Sequence, residues 1–68
     1  MRIRINGEEQ EYAGPPSLAA LLRELGLDPG APGTAVAVNA RVVPRSQIET
    51  AALAEGDRVE IVRAVQGG

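Results

Sequence analysis

An α+β fold is predicted for this chain, a mixed sheet of four to five strands with one main helix packed on one face. Three observations predict it. Apolar residues alternate with period two at the start, in the middle and near the end of the 68 residues. A leucine stripe at helical spacing follows the first alternating stretch. Between these segments stand clusters of Gly, Pro, Asn and Asp, which punctuate rather than continue regular structure.

Arg2-Ile3-Arg4-Ile5 alternates polar and apolar, and Asn6-Gly7 is the strongest short-range signal for a type I′ hairpin turn. A two-residue loop there sets Arg4 opposite Glu9 and Arg2 opposite Glu11, two cross-strand pairs of opposite charge. Ile3 and Ile5 then face inward. The same register puts Glu8 and Gln10 on the apolar side with Tyr12, which is tolerable only if the second strand is a sheet edge.

Ala13-Gly14-Pro15-Pro16 cannot extend a ladder, and Ser17 is a good N-cap. Leu18, Leu21, Leu22 and Leu25 form one stripe, with Ala19, Ala20, Arg23 and Glu24 on other faces. Gly26 supplies the C′ stop and Leu27 its hydrophobic follower. Asp28 through Gly33 reads as an irregular connection. Thr34 to Val38 is the third strand, with Val36 and Val38 inward and the small Ala35 and Ala37 on the opposite face. Asn39-Ala40-Arg41 reads as a turn, Val42-Val43 as a brief strand, and Pro44 as its stop. Ser46 is the expected cap of a short helical turn through Gln47, Ile48 and Glu49, with Ile48 and Leu53 as inward anchors. Glu55-Gly56-Asp57 is turn chemistry, and Arg58 to Val65 is the last strand, with Val59 and Ile61 inward. A helix crossing over one face, with the first and last strands parallel in the centre, is the β-grasp order. Residues 1–65 make the expected domain, and residues 66–68 a flexible tail.

Composition narrows the function. The sequence has no cysteine and no histidine, so it offers no thiol framework and few zinc-type ligands, and no metal or bound cofactor is expected. Its core is aliphatic, with Tyr12 as the one aromatic residue. A net charge of −2 and a pI near 4.9 argue against a nucleic-acid partner. No apolar run approaches the 18 or so residues of a membrane span, so the cytoplasm is the expected compartment. All seven basic residues are arginines, so there is no side-chain amine to attack an activated carbonyl on the same chain. No Gly-rich phosphate loop is present, so any ATP binds elsewhere.

Val65-Gln66-Gly67-Gly68 is the stretch left unexplained by folding. A closing Gly-Gly pair would arise by chance in roughly one chain in two hundred, and it lacks any Cβ to obstruct entry into a narrow channel. The residues beyond Val65 give a terminal carboxylate roughly 10 Å of reach. Such an end either frays without purpose or is presented to a partner, and it is the resemblance described next that makes Gly68 the expected reacting residue and Gly67, Gln66, Val65 and Ala64 the expected docking contacts.

The chain resembles the ubiquitin-like sulfur carriers of bacteria, most closely the ThiS type of thiamine biosynthesis within the ThiS/MoaD superfamily. The resemblance rests on the Asn6-Gly7 hairpin, on Ala37-Val38-Asn39 leading through Val42-Val43-Pro44-Arg45, and on Leu53-Ala54-Glu55-Gly56-Asp57-Arg58-Val59-Glu60 leading to Gly67-Gly68. One departure is Ile48, in a region where members often carry tryptophan. The resemblance implies a non-enzymatic carrier. A free C-terminal carboxylate, with a pKa of about 3.3–3.7, is a poor acyl electrophile and must be activated. An E1-like adenylyltransferase of the ThiF type would adenylate Gly68 with ATP. A sulfur donor, such as a cysteine desulfurase or rhodanese-type protein, would then convert it to a thiocarboxylate, to be used by a thiazole synthase of the ThiG type.

Ala35, Ala37 and Val62, with Ala64, are the candidate apolar partner surface, and Arg41 and Arg45 are candidate contacts to acidic partner groups. Rival readings within the class are the small subunit of molybdopterin synthase and carriers for tRNA thiolation or cysteine synthesis. From other classes come a ubiquitin-like protein modifier and a plain interaction domain.

Overall fold

The computed structural model describes residues 1–63. Seven elements follow in chain order: β1 (Arg2–Ile5), β2 (Glu8–Glu11), α1 (Leu18–Glu24), β3 (Thr34–Val38), β4 (Arg41–Val43), α2 (Arg45–Ile48) and β5 (Arg58–Arg63). The strands form one five-stranded sheet in the order β2-β1-β5-β3-β4. β1 and β5 are parallel neighbours, while β1–β2, β3–β4 and β3–β5 are antiparallel. This is the expected β-grasp order, with the parallel pair inside the sheet. The expected end of the last strand at Val65, and the boundary between domain and tail after it, lie outside the described residues.

The hairpin has the expected register, Arg2 against Glu11 and Arg4 against Glu9. Asn6 and Gly7 take φ of 49° and 85°, the left-handed pair a type I′ turn requires. Because β2 is an edge strand, Glu8 and Gln10 stay exposed while Ile3 and Ile5 are buried. Tyr12, just past β2, is the residue of that segment which enters the core.

Ser17 caps α1, its Oγ accepting from the Ala20 amide at 3.3 Å. At the other end the Gly26 N–H donates to the Arg23 carbonyl at 3.0 Å and the Leu27 N–H to the Leu22 carbonyl at 2.8 Å, which is a Schellman motif. The helix differs from expectation on two residues. Ala19 is buried beside Leu18, Leu21 and Leu22, whereas Leu25 is 39% exposed. Leu25 is the C-cap, where the backbone leaves helical geometry at ψ 2°, and Leu27 folds onto the core in its place.

Two boundaries also move. Arg41 belongs to β4, and the turn before it is only Asn39-Ala40, both at positive φ (52° and 68°). α2 is capped by the backbone of Pro44, whose carbonyl accepts from the Gln47 amide at 2.8 Å. Ser46 lies inside the helix and makes no cap bond, since the ladder already satisfies that turn. The stretch after α2 is laced to the start of α1: Leu18 N–H donates to the Ala51 carbonyl and Leu53 N–H to the Pro16 carbonyl. Ile48 and Leu53 are thereby buried as expected, joining Ile3, Ile5, Tyr12, the helix residues, Val36 and Val59 in one core.

Candidate functional site

Alternation along five strands sends one set of side chains under α1 and the other to an uncovered face. Val36, Val38, Val43, Val59 and Ile61 belong to the first set and contribute to the core. On β3, β4 and β5 the second set comprises Ala35, Ala37, Val42, Glu60 and Val62. The register holds them together: Ala35 faces Val62, Ala37 faces Glu60, and Ala37 also faces Val42 across β4.

These residues line a shallow hollow with Ala40. Val42 is 73% exposed and Val62 64%, so two large aliphatic side chains stand in water side by side with alanines. An exposed apolar area rimmed by polar groups is the mark of a partner surface on a small domain. The expected members Ala35, Ala37 and Val62 are thus brought to one place. Val42 and Glu60 were missed. The signal for Val42 was present, because Val43 precedes Pro44 and points inward, and its neighbour must then point out.

Arg45 sits exposed in the first turn of α2 and does not line this hollow. Arg41 lies at the start of β4 beside a second hollow, between that strand and α2. The Ala64, Val65, Gln66, Gly67 and Gly68 positions, which carry the expected reactive end and its docking contacts, lie outside the described residues.

β5 leads toward them and is held from both sides. Asn6 accepts from the Ile61 amide at 2.8 Å and donates to the Ile61 carbonyl at 3.3 Å. Asn39 accepts from the Arg58 amide at 3.0 Å and donates to Asp57 Oδ1 at 3.0 Å. The two asparagines occupy the first position of the two hairpin turns, so each turn doubles as a clamp on the central strand.

Among the described residues no group of His, Cys, Asp or Glu is placed to hold a metal ion, and no helix is long and apolar enough to cross a membrane. The Tyr12 hydroxyl is buried in the core. Burial, and then the nearby negative charge of Glu24, raise its pKa above the ordinary 10.0. It is a core group, remote in role from the open face.

Comparison with known proteins gives a consistent set. The model of the ThiS family matches residues 3–68. A thiazole synthase from Paramagnetospirillum magneticum is 40% identical over 68 residues, which is all of this chain but only 20% of that protein. The crystal structure of the thiamine biosynthesis protein ThiS from Geobacter metallireducens superposes with a TM-score of 0.80 at 26% identity, covering 100% of both chains. An NMR solution structure of a thiamine biosynthesis protein from the same organism gives 0.78 at 25% identity, covering 100% of this chain and 88% of that one.

Proposed function

This chain belongs to the ThiS family, and from that premise we propose that it is a sulfur carrier for thiamine biosynthesis, a protein co-substrate rather than an enzyme. The observation that carries the reading is the match of the family model through Gly68, supported by likeness to the Geobacter ThiS over the whole of both chains.

In the proposed sequence the Gly68 carboxylate oxygen attacks the α-phosphorus of ATP in a ThiF-type activating enzyme, and pyrophosphate leaves. A persulfide sulfur from the donor protein then attacks the acyl carbon and AMP leaves. Reduction of the remaining S–S bond by a second thiol frees a thiocarboxylate. Its sulfur is the nucleophile presented to a ThiG-type thiazole synthase. The absence of cysteine and histidine from the sequence supports assigning every nucleophile and general base in these steps to partner proteins. The identity of the curated relative supports thiazole synthase as the acceptor, since a segment similar to this chain lies within that much longer protein. The apolar hollow of Ala35, Ala37, Val42 and Val62 is the proposed contact with these partners, and Gly67, Gln66, Val65 and Ala64 the proposed contacts inside their channels.

Intact mass spectrometry tests the reading. Incubation with ATP, the activating enzyme and a sulfur donor should add one oxygen-to-sulfur exchange at Gly68, and a chain lacking Gly68 should remain unchanged. An unaltered mass for the parent chain would falsify the proposal. Rescue of growth without thiamine, rather than of molybdoenzyme activity or tRNA thiolation, assigns the pathway.

A further inference from the structure

β5 serves two parts of the proposed chemistry at once. Val62 lines the apolar hollow, and the chain beyond Arg63 runs on to Gly68. How that strand is held therefore sets where the reactive end starts from once the hollow is seated on a partner. On one edge β5 is laddered to β3 from Val59 to Arg63. On the other edge its ladder with β1 ends at Ile5 and Val59, and among the described residues no strand continues it. Asn6 fills the next place. Its backbone N–H donates to the Val59 carbonyl at 2.9 Å, and its side chain accepts from the Ile61 N–H at 2.8 Å and donates to the Ile61 carbonyl at 3.3 Å. Neither the turn nor the sheet requires that side chain. At φ 49° a glycine would serve the turn, as Gly7 does beside it, and β3 alone places Ile61 in the sheet. What the amide adds is a second attachment, so that β5 is gripped on both edges up to Ile61 rather than hinged on one.

We infer that Asn6 is a positioning residue for the adenylation of Gly68, fixing the direction in which β5 delivers the tail to the activating enzyme. The inference rests on the sulfur-carrier reading above and adds a residue from the opposite end of the sequence. In that step a Gly68 carboxylate oxygen bonds to the α-phosphorus of ATP and pyrophosphate leaves, so the carboxylate must arrive in line. Beyond Arg63 the chain can reach at most about 18 Å, and a start that swings on one edge spreads the carboxylate over many wrong placements. A misplacement of about 1 Å can cost on the order of a hundredfold in rate. The hollow is built on the ladders of β3 with β4 and β5, so loss of the Asn6 amide leaves docking intact and acts on the step that follows it.

The test is steady-state ATP–pyrophosphate exchange by the ThiF-type activating enzyme of the same genome, with the full chain as the varied substrate. Asn6→Gly should lower kcat about tenfold and leave KM within about twofold of the parent. Ser17→Ala, which removes the α1 cap at a comparable cost in stability but away from β5, should keep both constants. Assays run well below the melting temperatures of all variants, so that each is folded. A parent-like kcat for Asn6→Gly, a loss confined to KM, or an equal fall in Ser17→Ala overturns the inference and leaves the carrier reading intact. If Asn6→Gly does not fold, Asn6→Asp carries the test. It keeps the acceptor for the Ile61 amide and loses the donor to its carbonyl, so kcat should fall about threefold at unchanged KM, and a parent-like kcat overturns the inference. Absence of Gly68-dependent exchange with the parent chain overturns the carrier reading, and this inference with it.

Discussion

Ala40 sits at φ 68° in the turn between β3 and β4, a left-handed conformation that costs an L-residue with a Cβ roughly 1–2 kcal/mol. The equivalent place in the first hairpin is Gly7, at φ 85°. Ala40→Gly should therefore stabilise the domain by about 0.5–1 kcal/mol after the entropy of glycine is subtracted, seen as a higher melting temperature. The first turn was readable because Asn-Gly advertises its dihedrals. The second was readable as a turn but not in its dihedrals, because Asn39-Ala40 reaches the same geometry against the preference of alanine. Tyr12 is the other residue under constraint. Its ring packs so closely over Gly14 that a Cβ there would lie 2.5 Å from the hydroxyl oxygen, and that hydroxyl has no partner among the described residues. Folding holds the Tyr12 proton more tightly than the unfolded chain does, since its pKa is raised in the folded state. The associated stability is complete below about pH 10 and is lost as pH rises through the raised value. Denaturation followed from pH 9 upward should show this alkaline loss in the parent and not in Tyr12→Phe, which should be at least as stable at neutral pH.

For the elements, the informative feature is how β5 is held. Its ladder with β1 spans only Arg4–Arg58 and Ile5–Val59, after which β1 turns away. The side-chain amide of Asn6 then takes over, offering Ile61 the acceptor and donor that a further strand residue would have supplied. Asn6→Gly keeps the turn dihedrals but removes that surrogate peptide. The expected result is a loss of about 1 kcal/mol and faster hydrogen exchange at the Ile61 amide, with little change at the Val36 amide in β3. Strand and helix positions followed from periodicity, and Ser17 and Gly26 from capping chemistry. The details that escaped are those decided by competition between neighbours. Glu9 reaches diagonally to Arg2 although its register partner is Arg4, and Leu25 yields its place in the core to Leu27 because the helix ends one residue too soon for it. Half of the candidate surface followed from the parity of β3 and β5. Glu60 shares that parity on β5, and Val42 follows once Val43, next to Pro44, is given the inward place on the three-residue β4.

At the scale of the whole molecule, the sheet divides labour between its faces. One is sealed by α1 and a single core, and the other is left open, apolar on β3, β4 and β5 and charged with both signs on β1 and β2. The sealed face supplies the packing on which so small a domain without cysteine depends, and the open face is where its selectivity for partners would be exercised. The strand order carries one more consequence. β5 follows every other described element in sequence yet lies between β1 and β3, and no ladder joins those two strands directly. A nascent chain therefore cannot close its sheet until Arg63 has cleared the ribosome. Up to that point β1–β2 and β3–β4 are separate hairpins with unpaired edges, exposed to aggregation and to chaperones. No part of the sheet is secure until β5 has entered between its two hairpins.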